Sequence, residues 1–240
     1  MSVAEWKKDE TAAVITMTNG ENRLNATFTG TMLALLDDIL NDAEVSSVVI
    51  CSSDAKNWSQ GIDLEWMMGR MGENDTQAIK DFLYSLNDLF KRLLLYPLPV
   101  VAAINGHAAA GGAIIACACD FRFMRSDRGY FFFPEIDIGI PFLPGMIAFA
   151  KKALPYHVFN EMMLTGKRFT AAELAENNVI IKACPTAEDT VSEAIAYAKT
   201  LNKKRGMFGE TKYRLHKEMV EVFETQDPPY IDALNLMVTD

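Results

Sequence analysis

Residues 99–120 read PVVAAINGHAAAGGAIIACACD, an apolar run and a glycine turn followed by small residues and a second apolar run. The pattern predicts a buried strand at Val100–Ile104, a turn at Asn105-Gly106 and then an apolar helix. Glycines at a loop-to-helix junction leave backbone N–H groups uncovered, and such groups suit an anion or a carbonyl oxygen. The stretch therefore predicts a strand–turn–helix unit with a backbone site for oxygen where its helix begins.

Strands and helices alternate along the rest of the chain, a pattern typical of the α/β class. The expected strands are residues 3–7, 12–17, 47–51, 100–104, 121–124, 129–133 and 179–182. The expected helices are one of about fifteen residues capped by Asn25, a long amphipathic helix at 77–96, and two near 188–201 and 210–224. Residues 134–145 contain several Pro and Gly and are expected to form an irregular loop.

The chain of 240 residues is long enough to bury a full core, and a polar stretch at residues 202–206 is its one soft boundary. We expect a core domain at residues 1–200 and a C-terminal helical extension at residues 201–240. The extension is expected to lie at an interface with a neighbouring subunit.

Composition excludes several classes of partner. A formal net charge of -9 argues against nucleic acid or an anionic membrane as the main partner. No apolar run is long enough to cross a bilayer and the first residues contain no long apolar segment, so we expect a cytoplasmic protein. The four cysteines lie in apolar runs without CxxC spacing, and we expect buried thiols and no metal site. They are Cys51, Cys117, Cys119 and Cys184.

A second loop and an isolated acid extend the oxygen-site hypothesis. Residues 57–64, NWSQGIDL, form a second glycine-bearing loop, and two N–H donors from different segments are what a thioester oxygen needs. Glu135 lies among aromatic residues, prolines and isoleucines, and such surroundings raise the pKa of a carboxyl towards neutrality. Either loop alone would be read as a tight turn, and Glu135 alone as a surface glutamate or one bonded to a backbone amide.

These motifs together resemble the enoyl-CoA hydratase/isomerase (crotonase) superfamily over about residues 13–199. The resemblance implies a ββα-spiral core with a C-terminal helical region, homotrimers or hexamers, and an acyl-CoA substrate with no cofactor beyond its coenzyme A. The segments that carry it are WSQGIDL (58–64), AINGHA (103–108), Gly111-Gly112, Cys119-Asp120, PEI (134–136), Gly139 and LTGKRFTAAELAENNVI (164–180).

The resemblance also implies roles for single residues. The backbone N–H groups of Gln60 and Gly111 would form an oxyanion hole, and Glu135 would be the acid/base. Hydratases of the family carry another glutamate three residues after the second donor, a position that holds Ile114 here. The chain is therefore closest in pattern to Δ3,Δ2-enoyl-CoA isomerases. The alternatives are another acyl-CoA reaction (hydration, decarboxylation or thioester hydrolysis) and a non-catalytic acyl-CoA-binding protein.

Further residues are assigned to substrate binding. Trp66 and the residues near it fit either an acyl tunnel or plain core, and a structural role is the commoner reading for His107. Asp63 is expected to cap the following helix. Lys56 and Lys212 are expected either near the phosphates of coenzyme A or at the surface. The substrate-binding set is Ser59, Gly61, Asp63, Leu64, Trp66, Met67, His107, Ala109, Gly112, Ile114, Pro134, Phe142 and Leu143.

Overall fold

The computed structural model describes residues 2–238 and has two sheets. The large sheet has the strand order β1-β2-β3-β5-β7-β9 and the small sheet the order β4-β6-β8. Among the strands within residues 2–238, β1 and β2 pair in antiparallel fashion and the other neighbouring strands are parallel. The strands are β1 (Ala4–Asp9), β2 (Ala12–Met17), β3 (Ser47–Ser52), β4 (Asn57–Ser59), β5 (Val100–Ile104), β6 (His107–Ala109), β7 (Phe121–Arg125), β8 (Phe131–Phe132) and β9 (Lys182–Cys184).

The helices connect and cover these sheets, and two of their predicted caps are confirmed. The Asn25 side chain accepts a hydrogen bond from the Phe28 N–H at 3.1 Å, and Asp63 accepts one from the Trp66 N–H at 3.1 Å. The helices are α1 (Ala26–Asn41), α2 (Leu64–Gly72), α3 (Thr76–Leu95), α4 (Gly111–Ala118), α5 (Glu135–Ile138), α6 (Pro144–Ala153), α7 (Tyr156–Thr165), α8 (Ala171–Glu176), α9 (Ala187–Lys199), α10 (Arg205–Thr225) and α11 (Pro228–Asp232).

The chain repeats a strand–strand–helix turn three times. Each of β3, β5 and β7 in the large sheet is followed by a short strand in the small sheet, and helices then lead the chain back. The Asn105 side chain stabilises the corner between the sheets through the Ser52 backbone: its Nδ2 donates to the Ser52 carbonyl at 2.7 Å, and the Ser52 N–H donates to its Oδ1 at 3.0 Å. The chain thus has the spiral topology that the resemblance implied.

Some predicted elements differ from the structure. The strand expected at 179–182 is β9, Lys182–Cys184, because the Val179 N–H instead donates to the Leu174 carbonyl and closes the end of α8. Residues 134–145 contain the short helix α5 and the start of α6 rather than only irregular loop. Glu135 and Asp137 both lie on α5 and point to different sides, because residues two apart on a helix do not face the same way.

The main core lies between the sheets and the helices, and α4 is its centre. Every residue of α4 is buried, and the four cysteines are free and buried, as predicted. The helix α10 packs against α3 and α6, where the ring of Phe223 lies 4.9 Å from that of Phe149. No helix within residues 2–238 is long and apolar enough to cross a membrane.

Candidate active site

The small sheet brings three segments of the predicted site to one edge. Because β4, β6 and β8 are parallel, the residues that follow each strand leave the sheet on the same side. The Ala110 N–H donates to the Phe132 carbonyl at 3.1 Å, so Gly111 and the segment leading to Glu135 are neighbours. On the other side, Gly61 contacts Ala110 and Gly111 so closely that it has no room for a side chain: an added Cβ would lie 2.9 Å from the Gly111 nitrogen.

Glu135 is a buried acid poised for proton transfer. It is the first residue of α5, and within residues 2–238 its Oε2 atom is buried without a hydrogen-bond partner. Burial raises the pKa of Glu135 to about 8, and this effect outweighs a backbone hydrogen bond that favours the charged form. A carboxyl with such a pKa can take up and return a proton near neutral pH.

Local structure holds Glu135 in place. Pro134 is the N-cap residue immediately before α5, and Gly139 follows the helix in the left-handed conformation at φ +68°. The Val238 N–H donates to the Gly139 carbonyl at 3.0 Å, and Phe133 packs edge-on against Phe142 with ring centroids 5.1 Å apart. The helix that carries the acid is therefore fixed at both ends.

The second predicted donor, Gly111, has a free N–H group. It follows Ala110, whose φ of +51° turns the chain from β6 into α4. Within the described residues 2–238, the Gly111 N–H has no hydrogen-bond partner, as is usual for the first residue of a helix. The N-terminal end of α4 also carries the positive end of the helix dipole, which stabilises a developing negative charge.

The first predicted donor, Gln60, needs correction. Its N–H donates to the Glu21 carbonyl at 3.0 Å and is therefore occupied within the fold. The Gly61 N–H faces Ser59 Oγ at 3.3 Å. The next amide, that of Ile62, has no hydrogen-bond partner among residues 2–238, and the Ile62 side chain lies beside Gly111. We therefore reassign the first donor from Gln60 to Ile62.

The pairing of residues 19–25 with the second loop explains this change. The Leu24 N–H donates to the Gly61 carbonyl at 2.8 Å and the Asp63 N–H donates to the Leu24 carbonyl at 2.9 Å. This short bridge orients the Ile62 amide away from Leu24. The sequence gives no signal for the pairing, because neither segment is long enough to show a strand pattern.

Ser59 and residues of α4 are buried below the site and pack within the fold. Ser59 is fully buried and its Oγ donates to the Asn22 carbonyl at 2.8 Å, so its predicted contact with substrate is not supported. An added Cβ at Gly112 would lie 2.6 Å from the Ser59 carbonyl oxygen, which shows that this glycine is needed for packing. Ala109 and Ile114 are also buried.

The residues assigned to the acyl group fall into two groups. On α2, Met67 is buried, and the half-buried Trp66 packs edge-on against Phe82 with centroids 5.3 Å apart. Leu64 begins this helix, and Asp63 also accepts a hydrogen bond from the Asn25 side chain. The second group, Phe142 and Leu143, lies between α5 and α6.

His107 is not beside the N–H pair. It begins β6, whereas Gly111 follows the other end of that strand, and its Nδ1 accepts the Tyr130 N–H at 3.2 Å. Burial, and then the charges of Lys56, Arg168 and Arg128, lower its pKa. This position fits the structural role that is the commoner reading, and the assignment of His107 to substrate binding stays a prediction. Lys56 shares a pocket of about 500 Å³ with His107.

Lys212 is not a surface charge, and its ammonium group is paired within the fold. It is buried, and its Nζ donates to Asp120 at 2.9 Å and to the Leu93 carbonyl at 3.1 Å. Within residues 2–238, no three His, Cys, Asp or Glu side chains converge as a metal site would require.

The site therefore combines one buried acid with two unpaired backbone N–H groups, that of Gly111 at the start of α4 and that of Ile62 in the second loop. Such donors stabilise an oxyanion, and a nearby carboxyl can remove and return a proton on the adjacent carbon. These are the groups that the formation and stabilisation of an enolate require.

Comparison with known proteins identifies the family. An Arabidopsis thaliana protein named enoyl-CoA delta isomerase 3 is 29% identical over 187 residues, which are 77% of this chain and 78% of that protein. A Thermus thermophilus protein named putative enoyl-CoA hydratase is 30% identical over 213 residues, 87% of this chain and 79% of that one. The names of these two relatives point to different reactions.

A solved structure shows the same fold. The crystal structure of human mitochondrial delta3-delta2-enoyl-CoA isomerase superposes with a TM-score of 0.87 at 22% identity, covering 96% of this chain and 90% of that one. The predicted α/β crotonase fold is thereby confirmed. The sequence also matches the enoyl-CoA hydratase/isomerase family over residues 7–233. The chain belongs to the enoyl-CoA hydratase/isomerase family.

Proposed function

We propose that the chain is an enoyl-CoA isomerase that moves a double bond from Δ3 to Δ2 in an acyl-CoA thioester. The observation that carries the proposal is the pairing of one buried acid, Glu135, with an apolar residue, Ile114, where hydratases of the family have a second acid. Isoleucine cannot bind or deprotonate water, whereas double-bond migration needs no water. The relatives named delta isomerases add support.

The proposed reaction uses one carboxylate twice. Ionised Glu135 removes a proton from C2 of the 3-enoyl thioester, and the electron pair of the broken C–H bond delocalises to give a dienolate. The oxygen of this dienolate accepts hydrogen bonds from the Ile62 and Gly111 N–H groups. Protonated Glu135 then gives the proton to C4, which forms the C2–C3 double bond and regenerates the carboxylate. C2 and C4 of a bent chain can face a single carboxyl group, so one residue suffices.

A paired assay tests the proposal. Purified protein is incubated with a trans-3-enoyl-CoA and, separately, with a trans-2-enoyl-CoA, and isomerisation and hydration are followed. We expect isomerisation to dominate and to fall at least about 10²-fold in Glu135→Gln. The matched control is Glu218→Gln, at an exposed position of α10, which should keep full activity.

Other outcomes support the alternatives. Hydration that exceeds isomerisation contradicts the proposal and requires an acid that replaces the one missing at Ile114. If acyl-CoA binds and neither reaction occurs, the chain is an acyl-CoA-binding protein or acts on a different acyl group. Homotrimeric or hexameric assembly and a cytoplasmic location remain predictions, and sedimentation of the purified protein tests the first of them.

A further inference from the structure

Four charged side chains surround the C-terminal end of α4, the helix whose first residue is Gly111. Three are positive and one is negative, in a chain whose formal net charge is -9. Lys212 is buried and paired with Asp120, and the other two cations bind the end of the helix itself. The four are Asp120, Arg122, Lys152 and Lys212.

The two cations on α4 bind carbonyl groups that a helix end leaves free. The Lys152 Nζ, from α6, donates to the carbonyls of Cys117, Ala118 and Cys119 at 3.1, 3.3 and 3.2 Å. The Arg122 guanidinium, from β7, donates to the Ala116 carbonyl at 3.1 Å and to that of Cys119 at 3.0 Å.

The end of α4 is therefore fully bonded. The Ile115 carbonyl accepts a hydrogen bond from the Cys119 N–H, so each of the last four carbonyls of the helix has a partner. For the other three carbonyls, those of residues 116–118, the partner is a charged side chain, Arg122 or Lys152. The opposite end holds the unpaired Gly111 N–H. A helix of eight residues is about 12 Å long, short enough for charge at one end to act on charge at the other.

We propose that Lys152 and Arg122 are positioning residues for the reaction: they neutralise the negative end of the α4 dipole, so that its N-terminal N–H groups polarise the thioester oxygen more strongly. This inference rests on the proposed function, because it takes the Gly111 amide as an oxyanion donor. It assigns a role in catalysis to cations that contact neither substrate nor reacting atoms.

The size of the effect follows from the distance. A unit charge about 17 Å from the developing anion (the helix length and about one hydrogen bond at each end), at an effective dielectric constant near 20, changes the rate by about fivefold. Because the enolate carries more negative charge on oxygen than the substrate does, the loss should appear in kcat and leave KM almost unchanged.

The experiment compares Lys152→Met with Lys151→Met. Both residues are on α6 and both substitutions remove one positive charge, but Lys151 is exposed. We expect kcat for a 3-enoyl-CoA to fall about fivefold in the first variant only. The carbonyl stretch of a bound ¹³C-labelled acyl-CoA should move towards its value in free solution in the first variant only. Lys152→Arg, which keeps the charge, should restore both values.

A folded Lys152→Met variant with unchanged kcat and an unchanged carbonyl band overturns the inference, and so does an equal loss in Lys151→Met. If the wild type binds acyl-CoA without isomerising it, the proposed function fails while the carbonyl band still tests the inference. The two failures are therefore distinguishable.

A second measurement covers the case in which Lys152→Met does not fold. Burial lowers the pKa of Lys152 to about 8, so the wild-type lysine loses its charge when the pH rises from 7 to 9.5. The measurement uses Glu135→Gln, because Glu135 is the other group at the site that titrates between pH 7 and 9.5. In this variant the carbonyl band of the bound acyl-CoA should shift between pH 7 and 9.5. A band that stays constant over this pH range overturns the inference. The groups that face Lys152 from α4, β7, α10 and the turn after α4 are Cys117, Cys119, Asp120, Arg122, Lys212 and His216.

Discussion

At the scale of single residues, Glu135 carries a conflict between stability and function. A carboxyl group surrounded by apolar side chains is difficult to ionise, and the same property gives it a pKa suited to proton transfer. The protein therefore retains a buried acid without a partner for its Oε2 atom, at a cost in folding free energy.

We expect Glu135→Gln to be more stable than the wild type at neutral and alkaline pH. The pKa of Glu135 is raised from 4.5 to about 8, so between these values the folded state binds more protons than the unfolded state and stability falls as pH rises. The variant lacks this dependence. Its advantage in the free energy of unfolding should be near zero at pH 4 and reach about 3–5 kcal/mol at pH 8.

Urea denaturation at several pH values measures this advantage, with Glu218→Gln as the exposed control. A variant that gains nothing between pH 5 and pH 8 would show that Glu135 is solvated and ionises normally.

The reassigned amide gives a second prediction at this scale. Replacing the Ile62 amide by an ester, through the corresponding α-hydroxy acid, removes one N–H and leaves the side chain intact. We expect kcat to fall about 10²–10³-fold. The same exchange at Gln60 should lower stability by about 1 kcal/mol, since it removes the bond to the Glu21 carbonyl, and leave kcat within a few-fold. The reverse pattern of rate losses would return the donor role to Gln60.

The sequence indicated which residues belong to the site, but it did not show which of their backbone and side-chain groups are already hydrogen-bonded within the fold. The apolar context of Glu135 and the glycine junction before α4 are local signals, and the family resemblance then assigned the donor at that junction to Gly111. Whether Gln60 or Ile62 has a free N–H depends on pairing with residues 21–24, nearly forty positions earlier in the chain. A side chain such as Ser59 can be assigned to a ligand or to the fold only when its partner is known.

At the scale of elements, the site depends on the junction between the second loop and α4. The long elements α1, α3 and β5 were predicted closely, because their apolar periodicity extends over several turns or covers a whole strand. In the small sheet only β8 was predicted, within the strand expected at residues 129–133. The strands β4 and β6 were missed, because they have three residues each and show no period. This sheet brings the three parts of the site together.

Gly61→Ala tests that junction. Gly61 has a φ of +79°, and an added Cβ would lie 2.7 Å from the Ala110 Cβ, so the two loops must separate. We expect a loss of about 1–3 kcal/mol in the free energy of unfolding and about a 10²-fold loss in kcat. Gly69→Ala, in α2 with open space around it, is the control and should stabilise the protein by up to about 1 kcal/mol. If Gly61→Ala keeps full activity, the two N–H groups do not act together.

At the scale of the whole molecule, Asp227 joins the C-terminal region to the core. It is fully buried between α10 and α11, and it accepts the Gly145 N–H from α6 at 2.8 Å and the Asn87 side chain from α3 at 2.9 Å. These bonds cross the boundary predicted after residue 200. That boundary came from a polar stretch, and composition carries no information on such tertiary contacts.

We expect Asp227→Ala to lower the free energy of unfolding by about 2–4 kcal/mol, because the Gly145 N–H and the Asn87 amide lose their partner inside the protein. Asp232→Ala, at an exposed position, should change it by less than about 1 kcal/mol. Calorimetry measures both. Two separate unfolding transitions in the wild type would instead show that residues 201–240 fold as an independent unit.

The central claim is that one carboxyl group both removes the proton from C2 and returns it to C4. The most direct test uses a 3-enoyl-CoA with deuterium at C2 in ordinary water, with the 2-enoyl-CoA formed in a single turnover analysed by NMR. A buried Glu135 without a hydrogen-bond partner for Oε2 exchanges slowly with solvent, so we predict that a measurable fraction of the deuterium appears at C4. Product with only solvent hydrogen added at C4 would contradict the account.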